Sequence, residues 1–126
     1  MTKTSYTLIL TAAHGSEPAP DSEEFGAYVS EYMAFAEAAG AAGVLKGGES
    51  VLPPEMSTTV SVVDGDIKLH DGPFAEVDEH VIGWYLIEAE DLDEAVKWAA
   101  QIPVAARGYG AVEIRPNIDY TQGPPA

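Results

Sequence analysis

The sequence predicts an α+β sandwich, in which an antiparallel sheet carries two helices on one of its faces. Three observations predict it. Two stretches combine a helix-opening capping signature with an apolar stripe of helical period, short β-rich runs flank each of them, and an Asp-Gly pair joins two runs in mid-chain. The order is therefore β-α-β, a hairpin, then β-α-β. Two βαβ-like halves with helices gathered on one side give a ferredoxin-like arrangement.

Each element follows from its residues. Thr7 to Ala12 (TLILTA) is a short β-rich run and reads as the first strand. After the loop HGSEPAP, Asp21 precedes Glu24 by the capping-box spacing. Phe25, Tyr28, Val29, Tyr32, Met33 and Ala36 then follow the stripe of a half-buried helix, and Gly40 or Gly43 supplies its C-cap. GVLKGGESVL is a glycine-softened strand ending at Pro53-Pro54. Thr58 to Val63 (TTVSVV) is a strand, Asp64-Gly65 a two-residue hairpin turn, and Ile67 to His70 the return.

Val81 to Glu88 (VIGWYLIE) is a strand apolar on both alternating faces. Asp91 and Glu94 repeat the capping signature. Leu92, Ala95, Val96, Ala99 and Ile102 make the second helical stripe, which Pro103 ends by disfavouring helical geometry at Ile102. Ala111 to Pro116 (AVEIRP) is the last strand. Residues 1–117 are expected to form a single domain, with 118–126 a loose tail.

Helices can cover only one face of such a sheet, yet the Val81–Glu88 strand is apolar on both. A second copy of the same sheet is the simplest cover, so a homodimer is expected, with a ligand pocket between the two sheets. If Val112 and Ile114 lie under the helices, Glu113 and Arg115 point to the open face.

The bulk numbers bound the function. At 126 residues, with 46% hydrophobic content, the chain can bury a core without metals or disulfides, and it has no cysteine. The net charge is −15, and the six cations are scattered along the chain. A clustered basic face for nucleic acid is missing, and anionic membranes would repel the protein. No apolar run reaches membrane-spanning length and MTKTSYTLIL lacks signal-peptide features, so a cytoplasmic location is expected.

The residues richest in chemistry are KLHDGPFAEVDEH, Lys68 to His80. Asp71-Gly72-Pro73 is complete as a turn: Pro73 fixes its own φ and biases Gly72, and an Asp side chain commonly bonds nearby amides. Phe74 would plug the core. The functional reading makes Asp71 a general base at a pocket mouth, since burial raises a carboxyl pKa toward neutrality. His70 and Asp71 are adjacent on extended chain and point to opposite sides, so His80 is the better catalytic candidate. Glu76 and His80 would be neighbours on a helix but roughly 13 Å apart on a strand. Glu76, Glu79, Trp84 and Arg115 complete the candidate ligand-binding set. No metal-ligand spacing, nucleophilic triad or P-loop is present, His14 sits in a Gly-Ser-Pro loop with no fixed partner, and no cofactor is expected.

EYMAFAEAAGAAGVLKGGESVLPP (Glu31 to Pro54), TTV at Thr58, DGPFAE at Asp71, GWYLIEAEDLDEAVKWA at Gly83 and VEIRP at Val112 together make a pattern that resembles the DGPF-domain branch of the YCII-related family. The resemblance implies a dimeric α/β-barrel built from ferredoxin-like protomers. Relatives include small isomerases, dehalogenase-like enzymes and proteins without assigned activity, and members of this branch are often associated with extracytoplasmic-function sigma factors. Two positions depart from the pattern: Ser61 stands where arginine is common and Asp78 where lysine is common, each removing a cation near the loop. Three functions stay open: acid–base catalysis of a lyase or isomerase type with Asp71, His80 and Arg115 as orienter, non-catalytic binding of a small molecule, and a regulatory role beside a sigma factor.

Overall fold

The computed structural model describes residues 3–73, 75 and 77–122. Its strands and helices run in the order β1 (Thr4–Ala13), α1 (Glu23–Ala41), β2 (Leu45–Ser50), β3 (Thr58–Val63), β4 (Asp66–Asp71), β5 (Glu79–Ala89), α2 (Leu92–Ala99), α3 (Pro103–Ala106) and β6 (Gly110–Pro116). Four strands form one sheet in the order β2-β5-β1-β6, and every neighbouring pair is antiparallel. With helices on one side, this is the ferredoxin-like α+β fold the sequence predicts.

Strand alternation decides which side is the core. Along β1, Tyr6, Leu8, Leu10 and Ala12 are buried while the residues between them are half-buried. Their register partners continue the layer: Leu8 faces Tyr85 and Ile114, and Tyr6 faces Ile87. From α1, Phe35 and Ala39 meet this layer, with Phe35 ring-to-ring against Tyr85 at 5.2 Å and Trp98 at 6.2 Å. Val112 and Ile114 pack against the core, so Glu113 and Arg115 fall on the opposite face, where they bond to each other. That face also carries Ile9 and Trp84 as a register pair, with Trp84 39% exposed.

Several local readings meet the structure with a shift. The α1 N-cap is Ser22 rather than Asp21: Ser22 has extended backbone and its Oγ accepts from Phe25 N at 3.2 Å. The buried stripe of α1 is Tyr28, Phe35 and Ala39 with Tyr32 beside it, whereas Met33 is 68% exposed. Apolar residues lie on more than one side of this helix, so periodicity alone does not choose the face. At α2 the capping signature closes as expected, with Glu94 N donating to Asp91 Oδ1 at 2.9 Å and Glu90 N to Glu94 Oε1 at 2.7 Å. Pro103 both ends α2 and starts the short α3 as its first residue, burying Pro103 and Val104. After β6, Asn117 is tied to β1 through its amide to Ser5 O at 2.8 Å and its side chain to Ser5 and Thr7.

The hairpin is the exception to this packing. Asp64 and Gly65 have φ of 51° and 83°, the paired positive values of a type I′ turn, as the sequence predicts. Yet β3 and β4 form their own two-stranded sheet, apart from the main one. Val60, Val62, Ile67 and Leu69 share one face of it by register and are 60–72% exposed. Phe74, read from the sequence as a core plug, lies outside the described residues.

Candidate functional site

The concave feature with the most chemistry lies at one end of the sheet, on its helix-covered side. A cavity of about 850 Å³ opens between the first half of α1, the 13–20 loop, the 51–55 segment, the end of β1 and the start of β5. It is a separate feature from the pocket the sequence reading expects. The expected pocket lay on the uncovered face between two copies; the cavity seen here is walled by one chain. The cause is local: α1 leans over the core through Phe35 and Ala39, while the proline-punctuated loops at its other end hold the layers open.

The loops are fixed rather than loose. His14 N donates to Asp78 O at 2.8 Å, which ties the 13–20 loop to the segment entering β5. Ser16 Oγ bonds the carbonyls of Ala13 and Tyr109, each at 2.7 Å. These ties bring His14 to His80, with ring centroids 6.4 Å apart and planes at 63°. His80 pairs in register with the buried Ala12, so it projects to the cavity side of the sheet and is half-buried.

Opposite the histidines stands a phenol pair on α1. Tyr28 and Tyr32 are one turn apart, with hydroxyls at 3.3 Å and rings edge-to-face at 5.1 Å. Tyr28 Oη donates to Glu17 Oε2 at 2.8 Å. Burial raises the Tyr28 phenol far above its ordinary range, with its bonds to Tyr32 and Glu17 adding to the effect. Burial likewise pushes Tyr32 up to about 12. Both therefore remain neutral hydroxyls near pH 7 and serve as hydrogen-bonding groups, not as bases.

Behind Tyr28 sits Arg107, from the turn after α3. Its guanidinium centre lies 5.9 Å from the Tyr28 and Tyr109 ring centroids, and its Nε donates to Glu31 Oε1 at 2.9 Å. The ion pair holds the Glu31 carboxyl below its ordinary value through the Arg107 hydrogen bonds. Tyr109 Oη donates to Glu24 Oε1 at 2.9 Å. This cluster ties α1 to the turn after α3 and fixes the Tyr28 ring, which is edge-on to Tyr109 at 5.4 Å.

The sequence-derived candidates divide sharply. His80 lines the cavity and Trp84 borders it. Glu79 is exposed at the start of β5, in register with Ala13. Arg115 is exposed, bonded to Glu113, and is not part of the cavity wall. Asp71 is exposed at the end of β4, paired with Thr58, and also stands outside the wall. Its turn is built by other groups: Gly72 N donates to Ser57 O at 2.7 Å and Thr59 Oγ1 to Gly72 O at 2.7 Å, with Gly72 at φ 113°. Glu76 lies outside the described residues. Sequence reasoning missed Glu17, Tyr28, Tyr32 and Arg107 as a site and gave His14 no partner. The α1 stripe was a signal for the tyrosines, but a Tyr at helical spacing reads equally well as core. Among the described residues, no cluster of three His, Asp or Glu side chains is placed to hold a metal ion.

Comparison with known proteins adds a family and little chemistry. The model of the YCII-related domain matches residues 5–120. A similar protein is "Uncharacterized protein R00369" of Rhizobium meliloti (strain 1021), 35% identical over 82 residues, which is 65% of this chain. The match spans 66% of that relative's length, just under two thirds. Among the described residues, no helix is long and apolar enough to cross a membrane.

Proposed function

We propose, for a chain that belongs to the YCII-related domain family, that it binds a small molecule in the cavity beneath α1, and we place it in the DGPF branch on its Asp71-Gly72-Pro73 turn. The observation that carries the reading is the convergence of His14, His80, Glu17 and the Tyr28–Tyr32 pair on one half-open, largely apolar space of about 850 Å³. Cavities of this size and character are ordinary small-molecule sites. The chemistry open to it is acid–base: imidazole is the residue type that exchanges protons near neutral pH, and neutral phenols can hold a carbonyl or hydroxyl in place. Asp71 has no part in this version of the site.

Thermal-shift screening of aromatic fragments tests the binding step. Val29 stands at the cavity on the exposed side of α1, so Val29→Trp should fill the space and remove the shifts with the fold intact. Fragments that stabilise Val29→Trp as strongly as the unaltered chain would sink the reading. His80→Gln should retain binding and lose any turnover found.

The same reading includes a homodimer. Half-buried Ile9 and 39%-exposed Trp84 form an apolar stripe on the uncovered sheet face, and a second copy of that face is its simplest cover. Ile9→Lys should convert a dimer to a monomer in size-exclusion chromatography at micromolar concentration; an unaltered chain that elutes as a monomer contradicts this part. The exposed aliphatic face of the hairpin favours a second reading, an accessory role beside an extracytoplasmic-function sigma factor. Leu69→Asp should then abolish co-elution with such a factor, and absence of co-elution by the unaltered chain removes it.

A further inference from the structure

We infer that the ligand of this cavity is a cation, an ammonium group carried on an apolar body; the inference rests on the binding reading above and names its substrate class. The first observation is which charges reach the wall. Glu17, Glu49 and Glu55 line it, and none of the chain's six cationic side chains does. Arg107, whose guanidinium lies 5.9 Å from the Tyr28 ring centroid, is committed to Glu31 at 2.9 Å and to Glu24 at 3.6 Å and is not in the wall. An anionic ligand would meet no permanent cation in the wall, only the imidazoles of His14 and His80.

The second observation is the wall itself. Phe25, Tyr28 and Tyr32 from α1 and Tyr85 from β5 all contribute to it. Aromatic faces attract ammonium groups through their quadrupole, most strongly where water is excluded. Glu17 uses Oε2 to accept from Tyr28 and keeps Oε1 for a second donor. A primary or substituted ammonium could thus meet a carboxylate and an aromatic face together, while its apolar part lies against Leu10, Val29 and the loop prolines. The overall charge of −15 adds attraction for any cation and slows anions.

The test is direct titration of the full chain, by intrinsic tryptophan fluorescence and calorimetry, with benzyltrimethylammonium, benzylamine, benzyl alcohol and benzoate at moderate salt. The two cations should bind saturably and at least about tenfold more tightly than benzyl alcohol, with benzoate weakest. Glu17→Gln and, independently, the exposed Glu55→Gln should weaken the cations by about three- to tenfold and leave benzyl alcohol unchanged. Glu90→Gln removes the same unit of charge at an exposed position away from the cavity and should change nothing. Benzyl alcohol or benzoate binding as well as the cations overturns the cationic class while leaving the binding cavity standing. Equal weakening by Glu90→Gln and Glu17→Gln also overturns it, because bulk charge would then explain the preference. If no probe binds, both the inference and the binding reading fall.

Discussion

The β3–β4 hairpin and the cavity end of the sheet hold similar residue types in different surroundings. The hairpin has His70, Asp71, Lys68 and Thr59; the cavity has His80, His14, Glu17 and Tyr28. On the hairpin every side chain except that of Thr59 is exposed, its apolar face included. At the cavity the same chemistry is boxed in by α1, β5 and two pinned loops. The difference teaches that a carboxylate beside a histidine becomes a site through its walls. Water screens the exposed hairpin pair, whereas Glu17 and His80 at the cavity are half-buried, with His14 exposed at the rim.

The contrast can be broken most forcefully at the level of stability. Leu8 is fully buried, so Leu8→Ala should cost about 3–5 kcal/mol in denaturant unfolding, whereas 69%-exposed Leu69→Ala should cost less than about 1 kcal/mol. Comparable losses at both positions would show that the hairpin is covered in solution and that its exposure belongs to the single chain only.

Next in size is the phenol pair. Tyr28→Phe removes the bonds to Glu17 and Tyr32 and should cost about 1 kcal/mol. The folded state favours the protonated phenols, with Tyr32 raised from 10.0 to about 12. Their stabilisation is therefore complete below pH 10 and is lost as pH rises through the folded values. Melting temperature should fall across that alkaline window, and the Tyr28→Phe, Tyr32→Phe double variant should flatten the decline. An unchanged slope would mean that these hydroxyls are not held as described.

A smaller effect is expected at Arg107. Arg107→Ala should lower the melting temperature modestly at neutral pH. Glu31 is held below its ordinary value by this arginine, so the pair's contribution is present above the ordinary glutamate range and disappears as pH falls through the depressed value. The variant and the unaltered chain should thus converge in acid. The smallest effect sharpens the comparison itself. Asp71→Asn should change benzyltrimethylammonium affinity by less than about twofold, because Asp71 does not reach the cavity wall.

Much of the scaffold was legible because its signals are local. The Asp64-Gly65 turn, the Asp91–Glu94 cap and the alternation of Val112 and Ile114 with Glu113 and Arg115 each depend on neighbours within a few residues. The site was harder to read. His14 and His80 are far apart in sequence and meet only because His14 N finds Asp78 O and β1 runs antiparallel to β5. Arg107 reaches Glu31 across the whole fold. No spacing rule records such meetings. The α1 stripe failed for a related reason: its apolar residues allow more than one facing, and packing against Tyr85 and Trp98 selected the Phe35 side.

By itself the sequence determined the strands, the two longer helices, their order and the alternation of the last strand, since capping, turn chemistry and period-two alternation act over a few bonds. Only the tertiary structure decided where the cavity opens, which histidines share it and which carboxylate holds Tyr28. Those outcomes depend on the lean of α1 over the sheet, a balance of distant contacts that no short stretch of chain contains.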